Sequence, residues 1–192
     1  MAGIAEEVER AALEELHAVA TPEINASLGL KAIDVGTSFV SIASALPASA
    51  IVINRVLGLG LTSPATQPMA KEIVKTYRAC GVERFFVQLD PEAQPSDLAD
   101  WFSELGLEKA RGWQKFSRGR EGVAEIKTDL TIRQIDPSDA AAHAAILSDA
   151  FDLGDNARGW LSLAPQCEHW HVFMSFDGNQ PAGTGSVFID GD

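Results

Sequence analysis

Three groups of residues in this 192-residue chain have types and spacing that can do chemistry. The first is Glu168-His169-Trp170-His171. On a strand its two imidazoles share one face and the indole takes the other. Histidine titrates near neutral pH, so His169 and His171 are candidate general bases, with Glu168 a further one. Catalytic zinc usually needs a third protein ligand, which no spacing here supplies, so no metal is expected. A surface or half-buried strand would use the same residues without any chemistry. The second group is Arg55-Val56-Leu57-Gly58-Leu59-Gly60. Its glycines let backbone N–H groups approach an anion, and Arg55 adds a fixed positive charge. A plain strand-to-helix turn would use those glycines equally well. The third is Tyr77, the only tyrosine. Its phenol serves chemistry only if it reaches a site; otherwise it packs along its helix with the hydroxyl near solvent.

These residues need elements to position them. Ile4, Val8, Ala12 and Val19 recur near helical spacing, so a helix is expected over Ile4–Val19, ended by Thr21-Pro22. Short β-rich runs follow at Lys31–Val35, Ser38–Ser44 and Ala50–Val56. A second helix is expected from about Pro68 to Ala79, with Gly81 just past its end. The apolar run Phe85–Leu89 reads as a buried central strand. A third helix opens near Pro95 and ends before Gly106, and Trp113–Ser117 reads as a strand. After polar, glycine-rich Arg118–Gly122, Leu130–Ile135 alternates like a strand, and Asp136-Pro137-Ser138-Asp139 signals a helix, capped by Ser138 or Asp136, running to about Phe151. A short helix over Ala157–Leu163 and a hairpin of His169–Phe176 with Ala182–Ile189 complete the pattern. The four tryptophans read most simply as core. Helices mixed with strands imply an α/β or α+β layer structure.

Composition narrows the function classes. The net charge of −12 disfavours nucleic acid and anionic membranes as partners. Residues through Thr128 carry 13 basic and 17 acidic side chains; those from Asp129 onward carry 2 and 10. The second part is therefore poorly equipped to bind a polyanion alone. No apolar run approaches the ~20 residues of a membrane span. The N-terminus lacks a secretory pattern, and the two cysteines are isolated, so a reducing cytoplasm is expected. Gly183-Thr184-Gly185-Ser186 does not complete a dinucleotide fingerprint.

Several motifs in their order resemble the GNAT superfamily of acetyl-CoA-dependent N-acyltransferases. Ile51-Val52-Ile53-Asn54 looks like that family's fourth strand. Arg55 to Gly60 matches its pyrophosphate pattern, Arg/Gln-x-x-Gly-x-Gly/Ala, and helix 68–79 and strand 84–89 follow in family order. Ala99–Leu107 resembles the late helix ending in Y-x-x-x-G-F. Further on, Ile132–Ile135 resembles the family's first strand, Ala150–Leu153 the end of its first helix, and Pro181–Phe188 its P-V-G-x-G hairpin strand. The resemblance implies a mixed, mainly antiparallel sheet flanked by helices. It divides the chain into a degenerate GNAT-like domain over 1–118, a linker over 119–128, and the first half of a second GNAT domain over 129–192. It implies acetyl-CoA as cosubstrate, held by residues 55–60, and a small-molecule or peptide amine as acceptor. Tyr77 becomes a candidate acid for the leaving thiolate. Two departures stand out. Leu61–Pro68 intervenes before the helix that should begin at the loop, and Phe102 stands where the family has its tyrosine. A non-catalytic remnant serving as a binding or dimerisation module is the alternative, with a homodimer formed through the open sheet edge of the second unit. A third arrangement has the second unit supply the first strands of a sheet that the first unit completes.

Overall fold

The computed structural model describes residues 2–122 and 127–191. Helix α1 (Ala2–Ala18) forms where periodicity places it, but it buries Ala12, Leu13 and Leu16, leaving Ile4 63% exposed. The Thr21-Pro22 pair starts a helix instead of only stopping one. Thr21 accepts a hydrogen bond from the Ile24 N–H, and Pro22 fills the first helical position, where its missing donor costs nothing. Helix α2 (Pro22–Leu28) then closes on Gly29, whose φ of 58° suits glycine.

A four-stranded sheet follows. Strands β1 (Leu30–Val35), β2 (Ser38–Ala43) and β3 (Arg55–Leu57) are antiparallel neighbours. Helix α3 (Gln67–Ala79) crosses over to β4 (Phe86–Val87), which lies parallel to β3. Strand β2 is buried throughout. Val40 and Ile42 pack with Ile73, Val74 and Tyr77 of α3, while Phe39 and Ala43 pack with Leu13 and Leu16 of α1.

Three expectations are corrected in this half. Residues 50–54 form turns, not a strand, and β3 begins only at Arg55. The Asn54 amide replaces the missing ladder: its Oδ1 accepts from the Ala43 N–H at 2.8 Å and its Nδ2 donates to the Ala43 carbonyl at 3.4 Å. Strand β4 is a half-buried two-residue edge, not a central strand. After helix α4 (Leu98–Glu104), Trp113–Ser117 runs irregularly, with Phe116 88% exposed and Trp113 at the surface.

The centre of the expected linker, 123–126, lies outside the described residues. Beyond it come β5 (Thr131–Gln134), α5 (Ala140–Ala150), α6 (Arg158–Leu161), β6 (Trp170–Asp177) and β7 (Gln180–Phe188). Of the two expected caps, Ser138 and Asp136, it is Asp136 that caps the turn leading into α5, accepting from the Ser138 N–H. The strands form an antiparallel sheet in the order β5-β6-β7, separate from the first sheet among the described residues. The chain is thus α+β, with two mostly antiparallel sheets.

One core joins the two sheets. Leu13, Leu16, Phe39 and Leu57 pack in one cluster with Trp160, Leu161, Val172 and Met174. Helix α1 lies at the junction. Trp160 Nε1 donates to the Leu16 carbonyl at 2.7 Å, satisfying an acceptor that the helix end leaves free. Trp170 Nε1 donates to the Ala12 carbonyl at 3.2 Å. Among the described residues no helix is long and apolar enough to cross a membrane.

Candidate anion-binding loop

Arg55, Val56 and Leu57 form β3 itself, so the loop proper is Gly58-Leu59-Gly60. The Val56, Leu57 and Leu59 side chains are buried, and the Val56 carbonyl accepts from the Gln88 N–H, so the backbone there serves the sheet. Gly58 and Gly60 have φ of 75° and 76°, a region that only glycine enters freely. The glycine turn therefore exists where the spacing put it. Helix α3 starts late, with Thr66 as its cap, so it does not begin directly at the glycine turn.

The chain's own carboxylates occupy the loop. Gly58 N–H donates to Glu6 Oε2 at 2.6 Å, and Gln88 Nε2 donates to Glu6 Oε1 at 3.0 Å and Glu9 Oε2 at 3.1 Å. Glu6 is only 2% exposed. Lys115 Nζ lies 3.9 Å from Glu6 and 3.4 Å from Glu9. The Arg55 guanidinium lies 3.5 Å from Glu9 and 5.3 Å from the Trp113 ring centroid. Burial pulls Arg55 below its ordinary pKa, and Glu9 and then Glu6 oppose that pull. Arg55 Nε and Gln88 Oε1 are buried without a hydrogen-bond partner among the described residues. Gly60 is covered as well. The Gln94 N–H donates to its carbonyl at 2.8 Å, and a Cβ on Gly60 would run into the Gln94 backbone.

This arrangement recognises oxyanions: a backbone N–H, a side-chain amide, a guanidinium and an ammonium converge on two carboxylates. Glu6, Glu9, Gln88 and Lys115 were missed in the sequence. A signal was present for Glu6, which stands seven residues before Leu13 on the face that α1 buries.

The other candidates do not converge on the loop. Tyr77 is fully buried, stacks on Phe85 at 3.9 Å and donates its hydroxyl to the Ser41 carbonyl at 2.8 Å. The expectation of a hydroxyl near solvent is corrected, and burial raises the phenol well above its ordinary pKa. Phe102 packs in the same cluster. Glu168 and His169 meet the far end of α1. Their N–H groups donate to Glu15 Oε1 at 2.7 Å and 3.3 Å, and His169 Nδ1 lies 3.4 Å from Glu15 Oε2 without a hydrogen bond. Glu15 is roughly 13 Å of helix rise from Glu6. His169 precedes the first residue of β6. His171 Nδ1 lies 3.4 Å from Gln134 Nε2. A groove of about 280 Å³ opens elsewhere, between α1, α2 and β1 beside His17, Lys31 and Phe39. None of the candidates read from the sequence lines it.

No protein-family model, curated protein or solved structure matches this chain.

Proposed function

We propose that the chain is built as a GNAT-type N-acyltransferase scaffold, taking acetyl-CoA and an amine acceptor, with its pyrophosphate loop closed by α1 in this form. One observation carries the reading: a two-glycine turn follows β3, and α3 then leads to the parallel strand β4. In this reading Gly58 N–H and Arg55 hold the pyrophosphate, and acetyl-CoA supplies the thioester. The residues do not fit a pyrophosphate while Glu6 holds Gly58, so the chain as folded is silent in acyl transfer. A reducing cytoplasmic setting belongs to the same proposal.

Acetyl-CoA at ten times its dissociation constant is expected to raise the melting temperature by roughly 3 °C or more. Arg55→Ala should remove the rise. A melting temperature indifferent to millimolar acetyl-CoA, both in the native chain and with Glu6→Gln and Glu9→Gln together, would overturn the reading.

A second reading, a non-catalytic dimerisation module, draws on β7. This strand has no charged residue in a chain of net charge −12, and its outer edge is unpaired among the described residues. Val187 on this edge strand and Phe173 on the neighbouring central strand β6 are exposed. Sedimentation at micromolar concentration should then show a dimer, and Val187→Lys should return it to monomer by placing like charges across the edge. A native chain that is strictly monomeric excludes this reading.

A further inference from the structure

We propose that Glu6 and Glu9 act as an internal pseudo-ligand: the first half of α1 occupies the oxyanion cradle of Gly58, Gln88, Arg55 and Lys115, and a diphosphate-bearing ligand displaces it. This rests on reading the glycine turn as the pyrophosphate contact of an acyl-CoA.

Helix α1 is attached in two different ways. Its second half is anchored by the buried side chains of Ala12, Leu13 and Leu16 and by two indole hydrogen bonds. Residues 3–10 bury no apolar side chain; Glu6 is their one buried residue. That half is held by Glu6 and Glu9 in the cradle, and by Arg10, which pairs with Asp34 at 2.9 Å and donates to the Thr37 carbonyl at 3.1 Å. Helix ends that lack apolar anchoring open at small free-energy cost compared with core segments. Displacing Glu6 and Glu9 leaves the Arg55 and Lys115 cations, the Gln88 amide and the Gly58 N–H, with no carboxylate among them. Two fixed positive charges beside two N–H donors suit a diphosphate. The ligand need not enter the Gln94 side of Gly60, because all four groups lie on the α1 side of the loop.

Titration calorimetry with inorganic pyrophosphate tests this on the full chain. The Glu6→Gln, Glu9→Gln chain is expected to bind at least tenfold more tightly than the native chain, and adding Arg55→Ala should remove that gain. Amide exchange gives an independent reading on the native protein, should the double variant fail to fold. Saturating pyrophosphate should speed exchange in residues 3–10 and leave residues 12–18 protected. Equal affinity in the two chains, or residues 3–10 staying protected when pyrophosphate binds, overturns the pseudo-ligand. So does a failure of pyrophosphate to bind either chain. Acetyl-CoA separates the two proposals. If pyrophosphate displaces α1 but acetyl-CoA binds neither chain, the pseudo-ligand stands and the acyl-CoA reading falls. If acetyl-CoA binds both chains equally with residues 3–10 still protected, the acyl-CoA reading stands and the pseudo-ligand falls.

Discussion

Trp160→Ala is expected to lower the unfolding free energy by about 4 kcal/mol, enough to drop the melting temperature by roughly 8–16 °C. Trp160 is fully buried, so its truncation removes a large apolar side chain and leaves a cavity. It also strands the Leu16 carbonyl, which has the indole N–H as partner at 2.7 Å. The substitution strikes both sheets, because Trp160 packs in one cluster with Phe39 and Leu57 on one side and Val172 and Met174 on the other. Urea unfolding followed by circular dichroism should therefore show one transition, displaced as a whole. Trp160→Phe keeps most of the apolar volume and loses the donor, so it should cost less, about 1–2 kcal/mol. Two separate transitions in Trp160→Ala, with one at its native midpoint, would contradict a core shared between the sheets.

Lowering the pH from about 6.5 to about 4 is expected to cost the native chain roughly 3 kcal/mol through His17 alone. Burial brings this imidazole from its ordinary 6.5 to about 4. Its Nε2 lies 2.9 Å from Ser41 Oγ, and its ring meets Trp160 edge-on at 5.3 Å, so a charged form would find no carboxylate partner there. The unfolded chain takes up the proton as pH falls through 6.5, whereas the folded chain resists until about 4. Between those values the unfolded state binds more protons, so stability falls with falling pH. The contribution is fully present above 6.5 and gone below 4. His143, also buried and depressed by desolvation, acts in the same direction. Its Nδ1 lies 2.8 Å from Thr184 Oγ1, while its Nε2 has no partner among the described residues. Carboxylates titrate in the same window, so the measurement is a difference. Denaturant unfolding at steps between pH 7 and pH 4 should show a shallower slope in His17→Gln, by up to ~1.4 kcal/mol per pH unit. An identical slope in both chains rules His17 out as the source.

Helix α1, strands β1 and β2, helix α3, helix α5 and the β6–β7 hairpin were legible in the residues themselves. So were the Asp136 cap, the positive-φ glycine Gly81 after α3 and the late start of α3. Each of these rests on interactions a few residues apart: a cap to the next turn, a proline without its donor, a period of apolar side chains. Helix α2 was legible too but misread, since Thr-Pro-Glu reads as a stop for the preceding helix and as a start for the next.

What tertiary structure alone decided is which distant groups meet. Glu6 and Gly58 stand 52 residues apart, and Lys115 reaches both Glu6 and Glu9. The glycine spacing in the sequence marked a turn able to hold an anion; the folded chain supplied the anion. Tyr77 was visible as a lone phenol, but only the packing of α3 on β2 aimed its hydroxyl at the Ser41 carbonyl. Apolar burial has no direction, so a pattern of leucines and valines names a core face without naming what covers it. The polar residue types are as ambiguous, because a glutamate written into a helix is a solvated charge or a buried acceptor according to the N–H groups brought against it. Sequence determined the longer helices, strands β1 and β2, the β6–β7 hairpin and the glycine turn, while long-range packing determined where the short strands pair, that α1 closes that turn and that it ties both sheets into one core.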